Sequence, residues 1–129
     1  PALEMAAERE NCALILEAAF ASLDQIIHDN TATGLPAVFL SSGDFEGKGK
    51  LAQHDGPVLA MLGTNDRKFT VESWEDMLNA ATGPKELWVL DGVDHGIASG
   101  GIPEAGFTKY ANKIKDFLST NAPNCVGSN

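Results

Sequence analysis

The sequence predicts an α/β fold built on a parallel sheet. Three short apolar runs, at residues 13–19, 57–62 and 86–90, lack the polar alternation of a strand with one face in water. Such runs suit strands that are covered on both faces. Patterns typical of helices lie before, between and after these runs, and this alternation favours parallel strands joined by right-handed crossovers.

Composition restricts the function classes before any motif is considered. The chain has 129 residues, 43% of them hydrophobic and 21% charged, which is typical of one globular domain and excludes a collagen-like or disordered chain. Its net charge of -9 argues against binding to a nucleic-acid backbone, which needs clustered cations. No apolar run approaches the roughly 20 residues of a membrane span, so we expect neither nucleic acid nor a membrane span.

The elements of the first half follow from helix formers and breakers. Residues 2–9 are rich in strong helix formers, and Pro1 is tolerated in a first turn. Capping-box spacing at residues 22–25 opens a short helix that ends near His28. Residues 37–55 carry many glycines and aspartates and predict an irregular surface segment with one helical turn. His28 and His54 are expected at the surface, and we expect no metal site there.

The second half contains two amphipathic helices. Thr70 is placed to cap a helix from Val71 to about Ala81, which has apolar residues at helical spacing and ends before Gly83-Pro84. The last helix is expected from about Phe107 to Ser119. Its apolar face consists of Tyr110, Ile114, Phe117 and Leu118. Residues 121–129 are polar, and we expect a loose tail there.

Two residues with catalytic chemistry follow two consecutive strands. Asp66 closes the loop after the second strand, and His95 closes the loop after the third. Reactive groups in open α/β sheets collect beyond the carboxyl ends of the strands. An aspartate there can accept a hydrogen bond from one imidazole nitrogen while the other nitrogen takes a proton. The alternative is that Asp66 only shapes a turn and that His95 is a surface or structural histidine.

These residues carry a resemblance to a known family. Residues 57–66 (PVLAMLGTND), a helix, and residues 87–95 (LWVLDGVDH) resemble the C-terminal portion of the α/β-hydrolase family. The resemblance covers most of residues 2–119 and implies that the three strands correspond to the sixth, seventh and eighth of that fold. It also implies that Asp66 is the acid and His95 the base of a catalytic triad.

The sequence departs from that family at the nucleophile. No Gly-x-Ser-x-Gly motif occurs in the chain, although serine enzymes of this family carry their nucleophile in it. The resemblance therefore implies a single partial domain over residues 1–129, in which residues 1–10 are the remnant of the helix after the nucleophile. We expect the serine upstream of Pro1 or on another chain. The expected partner is the N-terminal half of the fold, or a second copy joined through an open sheet edge.

The resemblance implies a function for the completed protein. It would be a hydrolase of carboxylic esters or related acyl bonds, acting on a small-molecule ester without a cofactor or metal. Phe20, Phe69 and Ile97 are the candidates for substrate binding, and the alternative is that some of them pack in the core. The competing hypothesis is a non-catalytic α/β module for protein interaction, favoured by the missing nucleophile motif.

The two cysteines are far apart in the sequence. Cys12 and Cys125 match no metal-binding spacing and no CxxC motif. In the topology that the resemblance implies, both lie at the amino ends of the strands, where a disulfide could join them. The alternative is two independent thiols. A disulfide would favour an oxidising compartment, secreted or periplasmic.

Overall fold

A computed structural model of the chain describes residues 2–8, 10–17, 47–66, 69–94 and 106–125. In these ranges helices cover both faces of three parallel strands, which confirms the predicted α/β class. The elements are α1 (Ala2–Glu8), β1 (Leu14–Glu17), α2 (Gly47–Ala52), β2 (Val58–Gly63), α3 (Val71–Leu78), β3 (Lys85–Leu90), α4 (Phe107–Asn121) and a 3-10 turn (Pro123–Cys125).

The described strands form one sheet in the order β1-β2-β3. Both pairs are parallel, with Leu14 opposite Val58 and Val58 opposite Lys85. The central strand β2 is buried along its whole length. This burial explains why its sequence is apolar without alternation, since neither face of the strand meets water.

The core lies in two layers, one on each face of the sheet. Alternate residues of β2 point to opposite faces, as the pleat of a strand requires. On one face Val58, Ala60 and Leu62 pack with side chains of α1, α2 and α3, and on the other face Leu59 and Met61 pack with Phe117 of α4. The expected apolar face of the last helix is confirmed, because Tyr110, Ile114 and Leu118 are half-buried around Phe117.

The cap predicted for α3 is confirmed. The Thr70 hydroxyl accepts a hydrogen bond from the backbone N–H of Ser73 at 3.2 Å. The helix ends at Leu78, three residues earlier than expected. The chain then passes to Gly83, where an added Cβ would lie 2.3 Å from the carbonyl oxygen of Asp55. This close backbone approach explains the glycine there.

The expected surface segment is partly buried. Residues 37–46 and the helix predicted near residues 22–28 lie outside the described ranges, but α2 packs between α1 and α3. Leu51 is fully buried and His54 is 4% exposed. The expectation of a surface position is therefore wrong for Leu51 and His54. Leu51 belongs to the core cluster that contains residues of α1 and α3, and the His54 ring packs against Gly56.

A disulfide joins the two ends of the described chain. Cys12 and Cys125 are bonded, with their Cα atoms 5.9 Å apart. Cys125 belongs to the 3-10 turn, which begins two residues after α4 ends. Of the tail expected at residues 121–129, Asn121 is the last residue of α4 and residues 123–125 form this turn, whereas residues 126–129 lie outside the described ranges. Among the described residues, no helix combines the length and apolar character needed to cross a membrane.

Tyr110 of α4 contacts residues on both outer strands of the described sheet, β3 and β1. Its ring lies 6.3 Å from that of Trp88, and its hydroxyl donates a hydrogen bond to Glu17 at 3.4 Å. Burial raises the pKa of Tyr110 above its ordinary 10.0, and the neighbouring Glu17 carboxylate adds to this rise. Both causes disfavour the tyrosinate anion.

The disulfide is expected to contribute to stability by restricting the unfolded chain. It joins residues 113 positions apart, and a cross-link of that span typically adds about 2–5 kcal/mol to the free energy of unfolding. The double variant Cys12→Ser/Cys125→Ser should lose this amount in chemical denaturation. Reductant should lower the midpoint of the parent and leave that of the variant unchanged. Equal midpoints for oxidised and reduced parent would contradict the expectation.

Tyr110 is the only tyrosine in the chain, so its ionisation is directly visible in the ultraviolet absorbance of tyrosinate. The folded protein should titrate above pH 10.0, the ordinary pKa, and the urea-unfolded protein near it. Because the pKa is raised in the folded state, this contribution to stability is complete below pH 10.0 and is lost as the pH rises through the folded pKa.

A matched pair of variants separates the causes of this shift. Glu17→Gln should lower the pKa of Tyr110 only in part, since burial is the larger cause. The control Glu72→Gln, on the exposed side of α3, should leave it unchanged. Identical titrations of the folded and unfolded protein would show that Tyr110 is not perturbed.

Candidate active site

Two loops meet at the carboxyl edge of the sheet. One continues from Gly63 to Asp66 after β2, and the other covers residues 91–94 after β3. The backbone N–H of Thr64 donates to the carbonyl of Leu90 at 3.0 Å, and that of Asn65 donates to the carbonyl of Val93 at 2.9 Å. The pairing of the two strands therefore continues into their loops.

Two polar side chains add further bonds between these loops. The Thr64 hydroxyl accepts from the backbone N–H of Gly92 at 2.8 Å and donates to the Asp91 carboxylate at 3.3 Å. The Asn65 side-chain amide donates to the carbonyl of Gly92 at 3.0 Å. Gly92 has a φ of 74°, a conformation that glycine adopts without strain.

Gly63 allows the loops to approach this closely. A Cβ added to Gly63 would lie 2.0 Å from the carbonyl oxygen of Val93, which is far inside van der Waals contact. The obstacle is backbone, so a rotamer change could not relieve the clash. A glycine at the end of β2 is therefore a requirement for the contact between the two loops.

The structure places Asp66 at this edge with its carboxyl group buried. Asp66 is 6% exposed, although its neighbours Thr64 and Asn65 are exposed. One carboxylate oxygen accepts from the backbone N–H of Phe69 at 3.1 Å, and the Asp66 N–H donates to the carbonyl of Gly63 at 3.2 Å. These bonds orient the side chain. A carboxylate held in this way can accept a hydrogen bond from an imidazole.

The described part of the second loop stops one residue before His95. Asp94 is its last described residue, and His95, Phe20 and Ile97 lie outside the described ranges. The structure therefore brings Asp66 to the loop that leads to His95. The pairing of these two side chains remains a prediction.

Phe69 lies in the core next to Asp66. It is 4% exposed and belongs to the hydrophobic cluster that contains Leu62 and Trp74. Its backbone N–H also orients the Asp66 carboxylate. This position agrees with core packing, the alternative to substrate binding for Phe69, and a contact of Phe69 with substrate remains a prediction.

His54 lies at the opposite edge of the sheet, before β2. Its ring packs against Gly56, where an added Cβ would lie 2.9 Å from the ring carbon Cε1. Its Nε2 atom is buried and has no hydrogen-bond partner among the described residues. Across the described ranges, no group of three or more His, Cys, Asp and Glu side chains is arranged to hold a metal ion.

The sequence alone did not identify the residues that join the two loops. The sequence pattern places Gly63, Thr64 and Asn65 in a loop after a strand and does not indicate their contacts. The usable signal is the residue types: short polar side chains that bond readily to backbone groups, preceded by a glycine where two backbones approach.

The comparisons with known proteins identify the fold. No family model and no curated protein matches the chain. The structure is similar to the esterase Pf2001 of Pyrococcus furiosus in its C2221 crystal form, with a TM-score of 0.68 and 16% identity over 93% of this chain and 49% of the esterase. For the P21 crystal form the TM-score is 0.66 and the identity 17%, over 94% and 49% of the two chains. The chain thus has part of an esterase-like α/β fold and spans about half the length of these esterase structures.

Proposed function

We propose that this chain supplies the acid and the base of a serine hydrolase that cleaves carboxylic esters or related acyl bonds. Asp66 is the acid and His95 is the base. The nucleophilic serine lies upstream of Pro1 or on another chain, together with the donors that stabilise the oxyanion. The substrate is a small-molecule ester, and the reaction uses no cofactor.

The bonding between the two loops is the observation that carries this proposal. The Asn65 N–H donates to the Val93 carbonyl at 2.9 Å, so the residue before Asp66 contacts the residue two positions before His95. Two residues of chain extend at most about 7 Å. Chain connectivity therefore limits the Cα of His95 to about 7 Å from that of Val93, which supports the proposed pairing with Asp66 over two independent residues.

The roles follow from proton transfer. The serine hydroxyl attacks the ester carbonyl carbon as His95 Nε2 takes the hydroxyl proton, and His95 then gives this proton to the leaving alcohol. Water repeats the sequence to release the acid. Asp66 accepts a hydrogen bond from His95 Nδ1, which fixes the tautomer and stabilises the imidazolium. The backbone N–H of Phe69 keeps the Asp66 carboxylate in one orientation during this cycle.

The fold comparison supports this function over the interaction module. The two solved structures are described as an esterase, and the likeness extends over 93% and 94% of this chain. The share of the esterase that is matched, 49%, supports the further proposal that an N-terminal half completes the fold.

The proposed N-terminal half would join the sheet along the lateral edge of β1 that does not face β2. In the described part of the chain, β1 pairs with β2 alone, so its other edge offers unpaired backbone groups. Leu14 and Leu16 are already buried. A further strand would add hydrogen bonds along this edge.

Activity of the completed protein tests the proposal. The chain joined to the sequence that precedes it in its gene should hydrolyse a short p-nitrophenyl ester, measured as release of p-nitrophenol. Asp66→Asn should lower kcat by about 10⁴-fold, because the imidazole loses the partner that sets its tautomer. His95→Ala should lower it at least as much.

A carboxylate at the opposite edge provides the matched control. Asp55→Asn alters an exposed residue before β2 and should leave kcat unchanged. Activity of His95→Ala equal to that of the parent would remove His95 from the mechanism. If Asp66→Asn retained full activity, another residue would be the acid.

A further inference from the structure

Gly92, in the loop after β3, is hydrogen-bonded through both of its backbone groups to side chains of the loop after β2. The Thr64 hydroxyl accepts from the Gly92 N–H at 2.8 Å, and the Asn65 side-chain amide donates to the Gly92 carbonyl at 3.0 Å. These two groups belong to the peptide planes before and after Gly92. Because glycine has wide conformational freedom, these two bonds add to the backbone bonds at Leu90 and Val93 in setting the direction in which the loop continues.

We call the bonds of Thr64 and Asn65 to Gly92 the clamp. The residues of the clamp are close in sequence to the proposed catalytic pair. Asn65 precedes Asp66 directly, and Gly92 lies three residues before His95. We infer that Thr64 and Asn65 are positioning residues that set the separation between Asp66 and His95. This inference rests on the proposed function, in which those two residues act together.

Because the clamp is exposed, its effect on the position of the loop can be tested apart from an effect on the stability of the fold. Thr64, Asn65 and Gly92 are exposed, and hydrogen bonds in contact with water contribute little to the free energy of folding. The contact of Gly63 with Val93 involves neither of these side chains. Variants of Thr64 and Asn65 are therefore expected to fold and to alter the direction of the loop.

The chemistry of each side chain selects the variants. The Thr64 hydroxyl accepts from Gly92 and donates to the Asp91 carboxylate at 3.3 Å. Thr64→Val keeps the shape and removes both bonds, whereas Thr64→Ser keeps the hydroxyl. Asn65→Leu keeps a similar volume and removes the amide donor. None of these changes alters the charges of Asp91 and Asp94 in the same loop.

A threonine at the opposite edge of the sheet is the matched control. The Thr82 hydroxyl donates to the carbonyl of His54 at 3.2 Å, far from both loops. Thr82→Val also removes an exposed hydroxyl and one hydrogen bond to the backbone. Any effect that is shared by Thr64→Val and Thr82→Val would reflect a general loss of structure.

The measurement is the pKa of the His95 imidazole by NMR titration of the 129-residue chain. The chain has three histidines, and His95→Gln assigns the signal. Asp66→Asn should lower this pKa by about one unit or more, because a nearby carboxylate favours the charged imidazole. Thr64→Val and Asn65→Leu should each lower it by about half that shift. Thr64→Ser and Thr82→Val should match the parent.

The outcomes separate this inference from the proposed function. If Asp66→Asn lowers the pKa of His95 while Thr64→Val and Asn65→Leu leave it at the parent value, the positioning role is wrong and the pair stands. If Asp66→Asn leaves it unchanged, the pair is wrong and the positioning role falls with it. Should Thr64→Val fail to fold, Asn65→Leu decides the inference alone.

Discussion

The close contact between the end of β2 and the loop after β3 is the constraint on which the site depends. Gly63 has no Cβ, and an added one would lie 2.0 Å from the Val93 carbonyl oxygen. Because the strands are parallel and adjacent, both loops leave the sheet at the same edge. The contact at Gly63 then brings the loop carrying Asp66 against the loop that leads to His95. A larger residue there is expected to force the two loops apart.

Much of the fold could be predicted from local patterns. The apolar run of β2 indicates a strand covered on both faces, and each of its residues is buried. Thr70 caps α3 because its hydroxyl accepts a hydrogen bond from the N–H of Ser73. The two residues are three positions apart, so the local sequence is enough to predict this bond. The edge position of Asp66 follows from its place after a strand. In each case the determining interaction is local or repeats with the period of the element.

The remaining features depend on contacts between distant residues. The glycine-rich sequence of α2 predicts a poor helix, and its Leu51 is buried only because α1 and α3 cover it. The bonds of Thr64 and Asn65 span 28 and 27 residues, so no local pattern indicates them. The disulfide could be predicted only from a topology that places Cys12 and Cys125 together at the amino ends of the strands. The burial of His54 likewise follows from tertiary packing.

The proposed function depends on the buried Asp66 carboxylate and the His95 imidazole acting as a pair beyond the carboxyl ends of the strands. A crystal structure of the oxidised chain tests that pairing most directly, through the distance between the Asp66 carboxylate and His95 Nδ1. We expect an oxygen of Asp66 within about 2.6–3.2 Å of that nitrogen. Side chains separated by more than about 6 Å, or directed to opposite sides of the edge, would contradict it.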